Sequence, residues 1–221
     1  MDSRSFGAAM CYRLGIPFLP QTECPSHLCD YDQDELGDHA MHCNDDNGAR
    51  AGRHDRIRDR VYDEAQHASL SPAKEIPGLV PGSLSRPADI YIGHWVDGRK
   101  LALDVSVISP TQEALLLRAA ETPATAIEAR KATKNRTHFE NCRAQGVFFQ
   151  PLVVETFGGW DPVATDFLKK MATKEARRWG KTPAIEIKHF FQRLSIALQR
   201  GNAALLIARD FEPTQRLNHL S

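Results

Sequence analysis

Cys24, Cys29, His39 and Cys43 have the types and spacing of a metal-binding knuckle. Three sulfurs and one nitrogen, the last pair one helical turn apart, are what a tetrahedral structural Zn2+ site takes. His42 or His27 could stand in for His39. The five cysteines are an odd number, and the first twenty residues lack a signal-peptide layout, so metal is a better reading than a disulfide framework. Residues 1–50 carry three basic groups against nine acidic ones. Zinc would explain how so acidic a segment, with little core of its own, holds a fold.

A second constellation lies further on. Asp89 and Asp104 stand in otherwise apolar stretches, where an unpaired carboxylate is costly. A hard cation such as Mg2+ resolves that cost through oxygen ligands, and so does the wet face of a simple edge hairpin, where an aspartate costs little. Ile127, Lys131, Lys134, His138 and Cys142 fall on one stripe of a later helix. A lysine there could position a phosphate or an attacking water, although the snorkelling edge of an amphipathic helix reads the same way. Arg53 and His54 sit one turn into an earlier helix, and His54 falls on the stripe of Ile57, Val61 and Ala65, which suits a packed core histidine or a group reaching a phosphate backbone or the centre itself. Lys169, Lys170, Lys174, Arg177, Arg178 and Lys181 surround a single acid, Glu175. Such a run suits a phosphate backbone or a solvated face.

The elements that must position these groups read α-β-β-β-α-β-α-α. A helix is predicted over 49–68, with Ile57, Val61 and Ala65 on its apolar stripe. Strands follow at Lys74–Val80, Pro87–Trp95 and Lys100–Ile108, the last two joined by an Asp97-Gly98 hairpin turn. A two-residue turn there sets Asp89 opposite Ser106 and Asp104 opposite Tyr91. Asp89, Tyr91, Asp104 and Ser106 then share one face, with the two aspartates about 7–8 Å apart on the diagonal. Ile90, Ile92, Leu101, Leu103, Val105 and Val107 take the other. A helix over 123–143, capped by Thr122 with Pro123 at its first position, a strand at Val147–Glu155 and helices at 162–179 and 184–208 complete the pattern.

The 221 residues, 42% hydrophobic, are enough for one real core. Twenty-eight basic residues balance 28 acidic ones, so overall charge announces neither nucleic acid nor membrane. No apolar run approaches the ~20 residues of a membrane span.

Gly37-Asp38-His39-Ala40 ending at Cys43, then Arg53-His54, then Arg86-Pro87-Ala88-Asp89-Ile90, then Leu103-Asp104-Val105-Ser106-Val107 carry a family resemblance. Together they resemble the restriction-enzyme-like endonuclease region at the C-terminal end of reverse transcriptases of site-specific non-LTR retrotransposons. In that region a Cys-Cys-His-Cys knuckle directly precedes a PD-(D/E)xK-type nuclease. Arg13–Pro17, Glu155–Trp160 and Gln192-Arg193-Leu194 through Asn202-Ala203 are similar too, so the likeness spans roughly residues 8–210.

The resemblance implies an α/β fold, a restriction-endonuclease-like mixed sheet flanked by helices. Residues 1–47 would be a post-polymerase remnant with the zinc knuckle. Residues 48–212 would be the nuclease domain with a C-terminal helical extension. Asp89 matches the aspartate of the Pro-Asp motif, with Ala88 inserted, and Asp104 the second acid. Ser106 stands where the wider signature carries lysine. In the retrotransposon branch that lysine comes from the following helix, which points to Lys134 or Lys131, with Lys134 preferred for its distance to Cys142 and the next strand.

The implied function is a Mg2+-dependent DNA endonuclease, inside the cell and nuclear, whose nick leaves a 3′-hydroxyl to prime reverse transcription. Its partners would be DNA and the element RNA. Two rivals remain: a zinc-stabilised nucleic-acid-binding module without catalysis, and a zinc-stabilised protein-interaction domain.

Overall fold

Branched and apolar residues dominate 100–108 and 147–155, and these two runs form the long parallel pair of the molecule's main sheet. The computed structural model describes residues 1–26, 28–43, 48–77, 79 and 88–210. His27, Val80, Arg86 and Pro87 of the expectations above lie outside that set. Two units emerge, residues 54–197 and a second made of 1–53 together with the chain from Leu198 onward. The smaller unit thus takes in Arg53 and the last turns of the C-terminal helix.

In the larger unit, β5 (Lys100–Ile108) and β6 (Val147–Glu155) pair in parallel along their full length, Lys100 opposite Val147 through Ile108 opposite Glu155. Two short strands, β3 (Pro72–Lys74) and β4 (Ile90–Ile92), extend the sheet on the β5 side, giving the order β3-β4-β5-β6 with antiparallel pairing up to β5. The sheet is mixed, and helices flank it. A parallel pair needs a crossover. Here α3 (Glu113–Glu121) and α4 (Thr125–Ala144) supply it.

Helix α4 packs on the face that carries Ala102, Asp104 and Ser106. Ala126 and Ile127 meet Ile108 and Val153, while Cys142 meets Ala102, Val147 and Phe149. On the other face Ile90, Ile92, Leu101, Leu103 and Val105 are at most 1% exposed. Strand β5 is thus covered on both sides, as parallel strands usually are. The wet face expected for a simple hairpin is absent, and Asp104 is buried.

The Asp97-Gly98 turn forms as predicted, with positive φ at both residues and Arg99 N–H donating to the Val96 carbonyl. The register beyond it does not. Gly93, His94 and Trp95 take four steps of chain against two on the other arm, so Ile92 faces Leu101 and Ile90 faces Leu103. The slip is two residues. Because side chains alternate with period two, an even slip leaves the facing of each residue unchanged.

Other boundaries shift. The strand expected over 74–80 ends at Lys74, where Glu75 takes a left-handed φ of 47°. That expected over 87–95 shortens to Ile90–Ile92. Thr122 and Pro123 do not start α4. Ala124 is left-handed, and the Thr125 hydroxyl donates back to the Thr122 carbonyl at 2.7 Å. Helices α2 (Ala49–His67), α5 (Pro162–Arg178) and α6 (Pro183–Ile207) lie within a residue or two of their predicted ends. No helix among the described residues is long and apolar enough to cross a membrane.

The smaller unit opens with α1 (Ser3–Leu14), whose N-cap Asp2 accepts from Ser5 N–H. A two-stranded hairpin follows, β1 (Thr22–Glu23) against β2 (Asp32–Gln33). Ala8, Ala9, Tyr12, Leu19 and Met41 give a thin core, which Leu198, Leu205 and Leu206 of α6 complete. Gly37 and Gly201 permit the close packing: a Cβ on either would run into Leu206 or Arg53.

Candidate functional site

Asp104 lies mid-strand on β5 and faces α4, two turns of which bring Lys134 directly above it. The Lys134 Nζ is 3.1 Å from Asp104 Oδ1 and 2.9 Å from Oδ2. Asp89, just before β4, turns its carboxylate toward β5, where Oδ2 accepts the Val105 N–H at 2.6 Å. The same oxygen is 3.1 Å from Nε2 of His54, on α2, whose Nδ1 is 3.1 Å from Asp55 Oδ1. Asp89, Asp104, Lys134 and His54 thus form one cluster of two acids and two bases.

The electrostatics follow from burial. Desolvation pushes the Asp104 carboxyl up to about 6 and Asp89 adds to the push, while Lys134 and His54 pull it back. Burial pushes His54 down, but Asp89 and Asp55 outweigh it and raise the imidazole to about 9. The ring is therefore an imidazolium at neutral pH, donating from both nitrogens. His138, on the same stripe of α4, is pushed the other way by burial and by Lys134. Burial also raises the Cys142 thiol. Asp89 and Asp104 offer oxygen donors of the kind a hard divalent cation takes.

Lys131 is not part of this cluster. Its Nζ is 2.7 Å from Asp161 Oδ1 and 3.1 Å from Glu128 Oε1. Asp161 is fully buried and caps α5 by accepting the Ala164 N–H. Lys131 thus neutralises a helix cap. Ser106 is buried on the α4 face.

Arg53 also departs from expectation. It is 3% exposed, and its guanidinium donates to Asn202 Oδ1 at 3.1 Å and to the Met41 carbonyl at 3.0 Å. Held inside the smaller unit, it is not available to a phosphate. The basic residues of α5 do lie outward. Lys170 is exposed above the Phe167 ring, Lys174 is half-buried over Trp95, Arg177 is exposed, and Arg178 lies against Trp179. Trp95, Phe167 and Phe148 stack in sequence, with centroids 5.8 Å apart at each step.

In the smaller unit, one donor atom from each of Cys24, Cys29, His39 and Cys43 lies within 4.8 Å of the others. The β1–β2 hairpin carries the first two, its ladder continued by Cys24 N–H to the Tyr31 carbonyl. One short turn of 3-10 helix, His39–Met41, carries the others. Asp34 anchors that turn by accepting the N–H groups of Asp38 and His39 at 2.9 and 2.7 Å. The Cys24 and Cys43 sulfurs are 3.9 Å apart, and Cys29 Sγ is 3.4 Å from His39 Nε2. The fourth donor is His39, not His42.

Burial and two neighbouring sulfurs push the Cys29 thiol up to about 11. Burial opposes the Cys24 thiolate as well, but the Ser26 N–H and the Arg209 guanidinium, 3.0 Å from the sulfur, outweigh it. Burial keeps His39 neutral, the form that ligates. Crowded thiols of this kind are relieved by a dication, and these four residues could hold a metal such as zinc.

Sequence reasoning missed the His54–Asp89 contact, because 35 residues separate the partners. The only available signal was the place of His54 on the apolar stripe of α2. No protein-family model matches the chain, and no curated protein matches it.

Proposed function

We propose that the chain is a metal-dependent DNA endonuclease of the restriction-like kind, serving a retroelement by nicking target DNA. The observation that carries this reading is Lys134 lying across the Asp104 carboxylate, with Asp89 on the same sheet face. A positioned cation beside two acids is an arrangement that can support phosphodiester hydrolysis. The motif order Pro-Asp, strand acid, helix lysine, and a zinc knuckle ahead of it, supports the retroelement assignment by resemblance. Asp89 and Asp104 would hold Mg2+, which when bound supplies a water of lowered pKa. Lys134 then has a charge to place on the phosphate or the attacking water. His54 holds Asp89 in position through its Nε2. The four-residue cluster near the N-terminus would carry a structural Zn2+, and the exposed cations of α5 would follow the backbone of DNA.

One observation favours a second reading. The two carboxylates already face two cations, Lys134 and the His54 imidazolium, so the cluster balances its charge unaided. A zinc-stabilised nucleic-acid-binding module that no longer cuts would look the same. Nicking of supercoiled plasmid separates the two. Cleavage in Mg2+, lost in EDTA and in Asp104→Ala, is expected; DNA binding without cleavage in Mg2+ or Mn2+ would select the second reading.

A further inference from the structure

A third cluster lies within the larger unit, apart from both sites above. Glu64 on α2, Glu175 on α5 and Glu186 on α6 are 2–4% exposed, and one oxygen from each lies within 4.8 Å of the others. Arg193 Nη2 is 2.7 Å from Glu64 Oε2 and 2.9 Å from Glu186 Oε1. Lys181 Nζ is 2.8 Å from Glu175 Oε1 and 3.2 Å from Glu186 Oε2. Four of the six carboxylate oxygens are thereby paired. The other two, Glu64 Oε1 and Glu175 Oε2, are buried and take no hydrogen bond from either base, and burial together with the neighbouring Glu175 carboxyl pushes the Glu64 carboxyl up to about 8.

An ordinary buried ion-pair network is charge-balanced and has its acceptors filled. This one has three acids against two bases, with two orphaned oxygens. What fills the gap is positive, either a proton shared by Glu64 and Glu175 or a bound cation. All five residues line a cavity of about 630 Å3. Arg60, at its edge, is paired with Asp63 and leaves the deficit unchanged.

We propose that Glu64, Glu175 and Glu186 bind a divalent cation of the oxygen-preferring class (Mg2+, Mn2+ or Ca2+), with the Lys181 ammonium as a plug that the ion displaces. Carboxylate-only donor sets select these hard ions over zinc. Lys181 is suited to leave. It follows Gly180 in the short connection between α5 and α6, and nearly half of its side chain is in solvent. With Lys181 swung out, three carboxylates, Arg193 and one dication are neutral together. The ion would tie α2, α5 and α6 to one point.

The test uses the full chain, zinc-loaded and carrying Asp104→Asn so that the other carboxylate centre contributes no Mn2+ binding. Free Mn2+ is followed by electron paramagnetic resonance, and thermal unfolding is recorded with and without the ion. One Mn2+ per chain is expected, with a Tm that climbs as Mn2+ is added. Glu175→Gln and Glu186→Gln should each lose both effects. Lys181→Ala should tighten Mn2+ roughly two- to fivefold, the weight of one part-exposed ion pair. Absence of Mn2+ binding overturns the proposal, as does binding unchanged in the Gln variants or indifferent to Lys181→Ala. A Glu175→Gln protein that melts higher beside a parent blind to Mn2+ also overturns it, since a shared proton would then fill the gap.

Discussion

Replacing Asp104 by asparagine removes a charge and almost no volume, and the structure sets the size of the effect. The carboxyl moves from 3.8 to about 6 on folding, chiefly through burial. An acid whose pKa is raised in the folded state holds its proton longer there than in the unfolded chain. Stability therefore falls as pH rises from about 4 to about 6, and the full penalty persists above that window. Two pH units at 1.36 kcal/mol each give about 3 kcal/mol. Asparagine mimics the neutral carboxyl at every pH and escapes the penalty. Asp104→Asn should gain about 3 kcal/mol at pH 8, a Tm rise of roughly 6–12 °C for a chain of this size, and match the parent near pH 3.5. Paired thermal melts at the two pH values in EDTA measure this, and plasmid nicking in Mg2+ accompanies them. A variant less stable at pH 8, or one whose gain is equal at both pH values, refutes the electrostatic reasoning. Retained nicking by the variant refutes the assignment of Asp104 to catalysis.

The two lysines of α4 should separate cleanly. Lys134→Ala should depress nicking ~10²–10³-fold with DNA binding nearly intact; Lys131→Ala should keep nicking but lower stability by roughly 1–3 kcal/mol, because it strips the cation from the buried Asp161 cap. His54 should titrate near 9 by NMR and return toward 6.5 in Asp89→Asn. The stability that this pair contributes is complete below about 6.5 and lost as pH climbs through 9, so the Tm gap between parent and His54→Gln should close there. Purified protein should hold about one zinc per chain. Cys29→Ala should lose it and open residues 20–45 to protease, whereas Cys11→Ala, whose residue lies on α1 outside the cluster, should keep it.

Which of these features could be read in advance depended on the range of the forces that fix them. Strands β5 and β6 and helices α5 and α6 are written in local apolar pattern and in Pro and Gly punctuation, and their ends lie where that pattern places them. The Asp97-Gly98 turn was equally legible. Its register was not, because nothing local says that Gly93-His94-Trp95 spends two extra residues. Helix α1 was missed because alanine and glycine dilute its periodicity, leaving Asp2 as the one readable signal. Helix α3 has no buried side chain at all, so no apolar stripe betrays it. The gathering of Cys24, Cys29, His39 and Cys43 was visible as spacing. The burial of Arg53 against Asn202, 149 residues away, and the meeting of Glu64 with Glu186 depend on helix packing that no window of sequence contains.

The smaller unit has a consequence for how the protein is made. Cys24 rests against Arg209, 185 residues later in the chain. At ~5–20 residues per second a ribosome takes on the order of ten to forty seconds to cover that distance. Through that interval the cysteines are out while Leu198, Leu205 and Leu206 are still unmade. Closing a loop of this length is slow for entropic reasons as well. An early metal ion would hold the hairpin and the His39–Met41 turn together until the other half of their core arrives. Zinc supply during translation, rather than zinc affinity of the finished protein, would then govern the yield of folded chains.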